Sequence, residues 1–325
     1  MARRALGPAT LAVVQAVAAA LDPSDAALLV ACSGGPDSLA LAAGVAHVER
    51  ASGRPYAAVV VDHGLQEGSA GVAVAAEAAL VGLGFGDVAV VPVEVASDGS
   101  GPEAAARDAR YAALRSASVA RGATLLLGHT RDDQAETVLL GLARGSGARS
   151  LAGMVRRGDG LLRPLLGLPR TTTVACCAEL GLRPWTDPHN ADPAYARVRA
   201  RQRVLPVLES ELGPGVAAAL ARSADLLRAD ADLLDALALA AAPGAERDGG
   251  LDCAYLAALP DALRTRVLMA WFRTLGGRDL TTDHVAAVDA LVTRWHGQGP
   301  ASLPGLRVVR TGGVLRALPF RGPVP

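Results

Sequence analysis

The sequence predicts an α/β protein, with a doubly wound parallel sheet followed by a second, smaller and mainly helical domain. Two patterns predict the sheet. Between residues 27 and about 143, short apolar runs alternate with longer helical patterns. These runs are apolar at every position, as expected for strands that helices cover on both faces. Repeated βα units of this kind connect through right-handed crossovers, which gives a parallel sheet.

The elements of the first domain follow from the apolar spacing and from the residues that interrupt it. We expect an amphipathic first helix at residues 11–20. The predicted strands span residues 27–31, 57–61, 88–93 and 124–128. The predicted helices span residues 38–51, 71–83, 103–121 and 132–143. A fifth repeat is less regular, with a short strand or loop at 161–166 and helices at 169–180 and 204–212.

The second domain is predicted to begin after Gly213-Pro214-Gly215, where helix-breaking residues interrupt the pattern. A long Ala/Leu-rich helix follows at 216–242, and a break is expected at 244–250. Further helices are expected at 261–275 and 282–295, with a final hairpin of residues 306–310 and 314–318. The predicted domains are therefore residues 1–213 and 214–325.

The most informative segment is the loop between the first strand and its helix. It consists of Ser33, Gly34, Gly35, Pro36, Asp37 and Ser38. Small residues let the backbone approach an anion, and the helix N-terminus supplies N–H donors. A Walker A loop is excluded because it needs a lysine, and this chain has none. The hexapeptide predicts a phosphate site; taken alone, it is also compatible with an ordinary turn.

Two further polar clusters follow predicted strands, where ligands bind in such folds. Asp62 and His63 follow the second strand. His129 follows the fourth, and Asp133 and Glu136 lie at i and i+3 on the next helix. Two carboxylates and an imidazole can hold Mg²⁺, orient an amine and accept its proton. The simpler alternatives are a turn in the first case and a well-capped helix in the second.

Arginine is concentrated in two places. Arg107 and Arg110 share a helix face with Glu103, which suits either phosphate binding or an ion pair within the helix. Between residues 144 and 203 there are eleven arginines and four acidic residues, although the whole chain has no formal net charge. This arginine tract suits either a polyanion or an ordinary solvated face.

The cysteines and the apolar segments restrict the classes of protein. Cys32, Cys176, Cys177 and Cys253 form no CxxC pair, so we expect buried free thiols in a reducing compartment. No uninterrupted apolar stretch reaches the ~18–20 residues that span a bilayer. The protein is therefore predicted to be cytoplasmic, without a membrane partner.

These motifs together resemble the tRNA(Ile)-lysidine synthetase family of PP-loop ATP pyrophosphatases, which have the adenine nucleotide hydrolase-like fold. The SGGxDS, VDHGLR, ARxxRY and GHxxDDQAET patterns of that family match residues 33–38, 61–66, 106–111 and 128–137, with Gln66 replacing the last Arg. Its DPSN and RNxxR patterns match residues 187–190 and 197–201, with departures at His189 and Val198. The resemblance covers about residues 27–206.

The resemblance implies a reaction in two steps. ATP adenylates the C2 carbonyl oxygen of the wobble cytidine in an isoleucine tRNA with a CAU anticodon and releases pyrophosphate. The ε-amine of free L-lysine then attacks C2 and expels AMP. Since the chain contains no lysine, the reacting amine must come from a substrate.

The resemblance also implies roles for the candidate residues. Ser33, Gly34, Gly35, Pro36 and Ser38 would bind the phosphates of ATP, with Asp37 at Mg²⁺, and Asp62 and His63 would complete the nucleotide site. Arg110 and Arg201 would hold the AMP phosphate or the tRNA backbone. His129, Asp133 and Glu136 would bind the amine and handle its proton. The arginine tract and the C-terminal domain would bind tRNA, and the sequence leaves open whether the chain forms a homodimer.

Two other enzyme classes and one non-enzymatic class compete with this interpretation. PP-loop tRNA thiolases usually need a catalytic cysteine or a CxxC cluster, and amidating synthetases of the superfamily often carry a nucleophilic cysteine in a glutaminase. Neither pattern is present in the sequence. A non-catalytic nucleotide-binding protein would have little use for the acid pair and the arginine tract.

Overall fold

A computed structural model describes residues 5–62, 64, 68–93, 102–187, 191–277 and 280–319. Contacts divide the chain into two compact units, Met1–Leu226 and Leu227–Pro325. The sequence placed the boundary at 213–214, and the assignment of tRNA binding to the second part stays a prediction.

The first unit is built around a mainly parallel sheet. Its strands are β1 (Leu28–Ala31), β2 (Tyr56–Asp62), β3 (Val88–Pro92), β4 (Thr124–Leu126), β5 (Arg157–Gly158) and β6 (Leu161–Leu162). Its helices are α1 (Pro8–Ala20), α2 (Pro36–Ser52), α3 (Ser69–Leu83), α4 (Pro102–Arg121), α5 (Arg131–Ala143), α6 (Ala148–Leu151), α7 (Arg170–Glu179), α8 (Ala196–Arg199) and α9 (Leu205–Glu211). A π-helical segment, Ala200–Val204, joins α8 to α9.

The order of strands in this sheet is β3-β2-β1-β4-β6-β5. Among the residues that the structure describes, the β5–β6 pair is antiparallel and the other pairs are parallel. Successive residues of β1 are buried in different cores: Leu28 and Val30 in one, and Leu29 in the other. Helices therefore cover both faces, which explains why the strands lack polar positions. The predicted doubly wound α/β fold is confirmed.

A buried carboxylate lies near the amino ends of the strands. Asp25 accepts two hydrogen bonds of 2.8 Å from the guanidinium of Arg157 and a third from Thr124 Oγ1 at 2.8 Å. The hydrogen bonds from Arg157 are the largest cause of the low pKa of Asp25. This site joins the start of β4 to the β5–β6 hairpin.

Asp25→Asn is expected to destabilise the protein by about 1–3 kcal/mol at neutral pH, since it leaves the donors of Arg157 incompletely paired. The lowered pKa means that the carboxylate stabilises the fold above its ordinary value of 3.8 and loses this effect as the pH falls further. Urea unfolding should therefore show a larger difference from wild type at about pH 7 than at about pH 3.

Asp87→Asn is the matched control, because Asp87 pairs with Arg121 at 3.2 Å on the surface, where its side chain is 57% exposed. We expect a change within about 1 kcal/mol at either pH. An equal cost for both variants would contradict the structural role of Asp25.

The second unit combines helices with a small antiparallel sheet. α10 (Val216–Ala245) spans the boundary between the units and is followed by α11 (Cys253–Ala258), α12 (Asp261–Thr274) and α13 (Thr282–Thr293). The strands are β7 (Glu246–Arg247), β8 (Gly250–Asp252), β9 (Ala301–Leu303), β10 (Leu306–Thr311) and β11 (Val314–Pro319). Their order is β7-β8-β11-β10-β9, so the predicted hairpin, β10–β11, forms the centre of a five-stranded sheet.

The end of α10 differs from the prediction. The helix continues through Pro243 and Gly244 to Ala245, where the sequence predicted a break. The fully buried Ala245 belongs to the core of the second unit, and a Cβ at Gly244 would lie 2.6 Å from Tyr255 Oη. Tertiary packing therefore extends the helix past its breaking residues.

Within the described ranges, no single helix is long and apolar enough to cross a membrane. One bent pair, Ala196–Glu211 with Val216–Ala245, meets the requirement by length and composition only.

Candidate active site

The phosphate loop, Ser33–Ser38, leaves β1 and opens α2. Gly34 has φ +79°, a left-handed conformation that favours glycine. Ser38 Oγ accepts from Ser33 N at 3.2 Å and donates to Gly35 O at 3.0 Å, which closes the loop on itself. Gly35 is the N-cap and offers no side-chain acceptor to the first turn of α2. The backbone donors of this turn can therefore bind an anion.

A cavity of about 140 Å³ lies against this loop, beyond the carboxyl ends of β1, β2 and β4. We call it the nucleotide cavity. Its polar or small lining includes Ser33, Ser38, Arg110, Gly128 and His129, and its apolar lining includes Val59, Val61, Leu114 and Leu127. Strand β1 lies between β2 and β4, so the cavity opens where the strand order reverses. This is the position at which such sheets bind nucleotides.

Arg110 enters the nucleotide cavity from α4. Its Cζ lies 5.6 Å from the ring centroid of Tyr111. Burial lowers the pKa of Arg110, yet a guanidinium keeps its charge in proteins. In the described part of the chain, no carboxylate pairs with it. The arrangement fits the predicted contact with a phosphate.

A second site, the acid–arginine network, lies around the N-terminus of α5. It consists of Asp37, Asp133, Glu136, Arg170, Arg197 and Arg201. Arg170 joins the phosphate loop to α5, because its Nε donates to Asp37 at 3.0 Å and its Nη2 to Asp133 at 2.8 Å. The Thr173 hydroxyl donates to the second oxygen of Asp37.

Glu136 is fully buried, and two arginines contact it from one helical segment. Arg197 Nε donates to it at 2.7 Å, and Arg201 donates through Nε at 2.6 Å and Nη2 at 3.0 Å. The segment passes from α8 into the π-helix between these residues. Such π-helical turns frequently occur at functional sites.

Asp133 has both a structural and an electrostatic role. Its Oδ2 accepts from Thr130 N and Oγ1 at 2.8 Å, which completes a capping box at α5. Burial raises the pKa of Asp133, but Arg170 and Arg197 outweigh it and lower the value to about 2. Burial raises the pKa of Asp37. Three carboxylates face three guanidiniums, so the network is formally neutral.

The arginine tract is largely used inside the protein. At least seven of its eleven members contact protein groups, including Arg156 with Asp225 at 3.0 Å and Arg199 with Pro193 O at 2.7 Å. The other five are Arg157, Arg163, Arg170, Arg197 and Arg201. Arg144, Arg183 and Arg203 are exposed. Tract members thus organise the site, and their contact with a polyanion stays a prediction.

The structure separates the predicted residues into these two neighbouring groups. Ser33, Ser38, Arg110 and His129 line the nucleotide cavity, whereas Asp37, Asp133, Glu136 and Arg201 form the network. Asp62 ends β2, and its carboxylate accepts from Gly64 N at 3.0 Å; it is not among the cavity lining. His63 lies outside the described residues.

Sequence reasoning missed four members of the site. Arg163, Arg170 and Arg197 were noticed only as members of a tract or motif, and Thr173 was not noticed. An expectation of neutrality could have found Arg170 and Arg197, since buried carboxylates require cationic partners. Their locations in separate segments hid which acid each one contacts. Arg163 contacts His129 instead of an acid, so this argument would not have found it.

Within the described part of the chain, protein groups alone do not form a metal site. Over the described ranges, no three His, Cys, Asp or Glu side chains are placed to hold a metal ion. Both oxygens of Asp37 bond to Arg170 or Thr173. Mg²⁺ commonly uses one or two carboxylates with substrate phosphates, so a role for Asp37 would require nucleotide ligands.

Comparison with known proteins agrees with this geometry. Residues 10–208 match the PP-loop domain, and residues 251–316 match the TilS substrate binding domain. The chain is 54% identical to the tRNA(Ile)-lysidine synthase of Salinispora arenicola over 322 residues, which is 96% of this chain and 97% of that protein. The chain belongs to the tRNA(Ile)-lysidine synthase family. The Thermobifida fusca member is 55% identical over 289 residues, covering 88% of this chain and 89% of that protein.

A solved structure supports the fold of this member of the tRNA(Ile)-lysidine synthase family. A U34-tRNA thiolase from Methanococcus maripaludis aligns with a TM-score of 0.57 and 18% identity, over 68% of this chain and 80% of that chain. At this identity the likeness concerns the fold alone. The four cysteines of this chain are buried free thiols. The identity to tRNA(Ile)-lysidine synthases over nearly the whole chain favours their reaction over the thiolase alternative.

Proposed function

We propose that this chain ligates the ε-amine of free L-lysine to C2 of the wobble cytidine in a CAU-anticodon isoleucine tRNA, with ATP as the energy source. The observation that carries the proposal is the bridge formed by Arg170. It holds an acid of the phosphate loop and an acid of α5 in one network, so a nucleotide and an amine can meet there.

In the first step, the C2 carbonyl oxygen of cytidine attacks the α-phosphorus of ATP, and pyrophosphate leaves. The loop N–H groups and Arg110 stabilise the negative charge that develops on the phosphates. If Mg²⁺ accompanies ATP, it supplies further positive charge to the pyrophosphate. Adenylation converts a poor leaving group into AMP.

In the second step, the lysine ε-nitrogen bonds to C2, and the C2–O bond breaks to release AMP. The ε-amine of lysine is mostly protonated near neutral pH. The resulting ammonium cannot attack until it loses a proton. Asp133 and Glu136 accept hydrogen bonds from this ammonium, and one of the two carboxylates takes the proton that the nitrogen loses. For this, the ammonium must displace guanidinium groups that occupy both carboxylates.

The second unit is assigned to the tRNA. Residues 251–316 match the TilS substrate binding domain, which supports this assignment. Recognition of RNA shape through backbone contacts suits this division. The finer identity, an isoleucine tRNA read at its CAU anticodon, belongs to the proposal.

The test measures radiolabelled lysine incorporated into isoleucine tRNA with a CAU anticodon. We expect incorporation that requires ATP and releases AMP and pyrophosphate in equal amounts. Methionine tRNA, which carries the same anticodon, is the control and should remain unlabelled. Nucleotide turnover that is independent of lysine, or label on both tRNAs, would contradict the proposal.

A further inference from the structure

The ring of His129 accepts a hydrogen bond from Arg163, a residue that can act only as a donor. The Arg163 Nε–H donates to His129 Nδ1 at 3.1 Å. Because a guanidinium stays protonated and has no acceptor atom, Nδ1 must present its lone pair. A neutral imidazole then carries its proton on Nε2. No described residue bonds to Nε2, and His129 lines the nucleotide cavity.

Arg163 is itself fixed by its surroundings. Its side chain lies against Tyr111, the residue is only 9% exposed, and its Nη1 donates to Val155 O at 2.7 Å. Met154, which precedes Val155, donates its backbone N–H to Gln134 Oε1 at 2.7 Å, and its carbonyl oxygen accepts from Gln134 Nε2 at 3.1 Å. The guanidinium therefore has little freedom to release the ring.

The charges around the ring disfavour its protonated form. Burial is the largest effect and lowers the pKa of His129 to about 3. Arg163, Arg197 and Arg110 lower it further, and Asp133 opposes them. The imidazole is thus neutral near pH 7.

We propose that Arg163 is a positioning residue that fixes His129 as the neutral Nε2–H tautomer, so that the ring donates a hydrogen bond into the nucleotide cavity and does not remove the lysine proton. The acceptor would be an oxygen of the bound nucleotide or of the activated cytidine. This inference rests on the proposed function and narrows it, because the proton of the amine is left to the carboxylates.

The test is nitrogen NMR of the full chain labelled at histidine, recorded without ATP, lysine or tRNA. The spectrum of His129→Gln identifies the signals of His129. In wild type we expect one neutral Nε2–H tautomer that does not titrate between about pH 5.5 and 8.5, a range that spans the ordinary histidine pKa. Protonation in this range, or an Nδ1–H tautomer, would overturn the inference.

Two variants test the role of Arg163. Arg163→Met should give a mixed or Nδ1–H tautomer, and Arg163→Lys should restore Nε2–H because an ammonium can also donate to Nδ1. Arg156→Met is the matched control: Arg156 pairs with Asp225 on the surface, and the tautomer should not change. An unchanged tautomer in a folded Arg163→Met protein would contradict the positioning role. Failure of the lysine assay alone would overturn only the proposed function.

Discussion

Asp133→Asn is expected to lower lysine incorporation by about 100-fold or more while the protein still folds. The scale is that of losing a positioned acid–base group. Asparagine has nearly the same shape but no negative charge, so it cannot stabilise an ammonium or accept its proton. Single-turnover incorporation of labelled lysine at saturating ATP and tRNA measures the effect.

The same substitution has a structural cost that must be measured separately. The carboxylate accepts from Thr130 with Oδ2 and from Arg170 with Oδ1, whereas an amide presents one acceptor atom and one donor. One of these partners is left unpaired, which corresponds to about 1–3 kcal/mol. Urea unfolding should show this loss with a cooperative transition.

Asp225→Asn is the control for the chemistry of the substitution. Asp225 pairs with Arg156 at 3.0 Å, and both side chains are about half exposed. Its replacement should leave incorporation within about twofold of wild type and change stability by less than about 1 kcal/mol. Near-normal turnover by Asp133→Asn would refute the assignment of this acid to the amine.

Gly128→Ala is expected to abolish tight ATP binding, although the substitution adds only one methyl group. Its Cβ would lie 2.8 Å from Asp37 O and 3.0 Å from Ser38 N. The atoms in the way are backbone of the phosphate loop, which cannot rotate aside as a side chain can. We expect ATP affinity to fall at least tenfold, with a destabilisation of about 1–3 kcal/mol from overpacking. Calorimetric titration with ATP measures the first effect and urea unfolding the second.

Gly82→Ala provides the comparison. Gly82 lies within α3, and a Cβ there would meet no atom within 4 Å. We expect unchanged ATP affinity and a stability gain of about 0.5–1 kcal/mol from the better helix propensity of alanine. Wild-type affinity in Gly128→Ala would show that the loop does not depend on this close approach.

The sequence was sufficient to predict the sheet and the phosphate loop because both depend on local signals. Runs such as 27–31 are apolar throughout, and glycines mark the loop. The network was not predictable in the same way. Arg170 contacts Asp133 across 37 residues and Asp37 across 133, and no periodicity encodes such pairs. The presence of cationic partners could be inferred, but not their identity.

In the second unit, the length of a strand decided whether it could be predicted from the sequence. The β10–β11 hairpin was predictable because each strand has six residues and two glycines join them. β7, β8 and β9 have two or three residues each, which is too short for a period to be detected. β8 and β9 pair with the two outer edges of the hairpin, and β7 pairs with β8.

Because Arg197 and Arg201 contact Glu136, the affinity for lysine would depend on how often these arginines leave the carboxylate. Under the proposed function, lysine would reach this acid only in the fraction of molecules whose Arg197 and Arg201 have released it, so the apparent dissociation constant would be the intrinsic one divided by that fraction. An anion that draws the guanidiniums away increases the fraction, and by reciprocity bound lysine strengthens that anion's binding. Because Arg197 helps to lower the pKa of Asp133 to about 2, its departure would raise that pKa and make the carboxylate a stronger base.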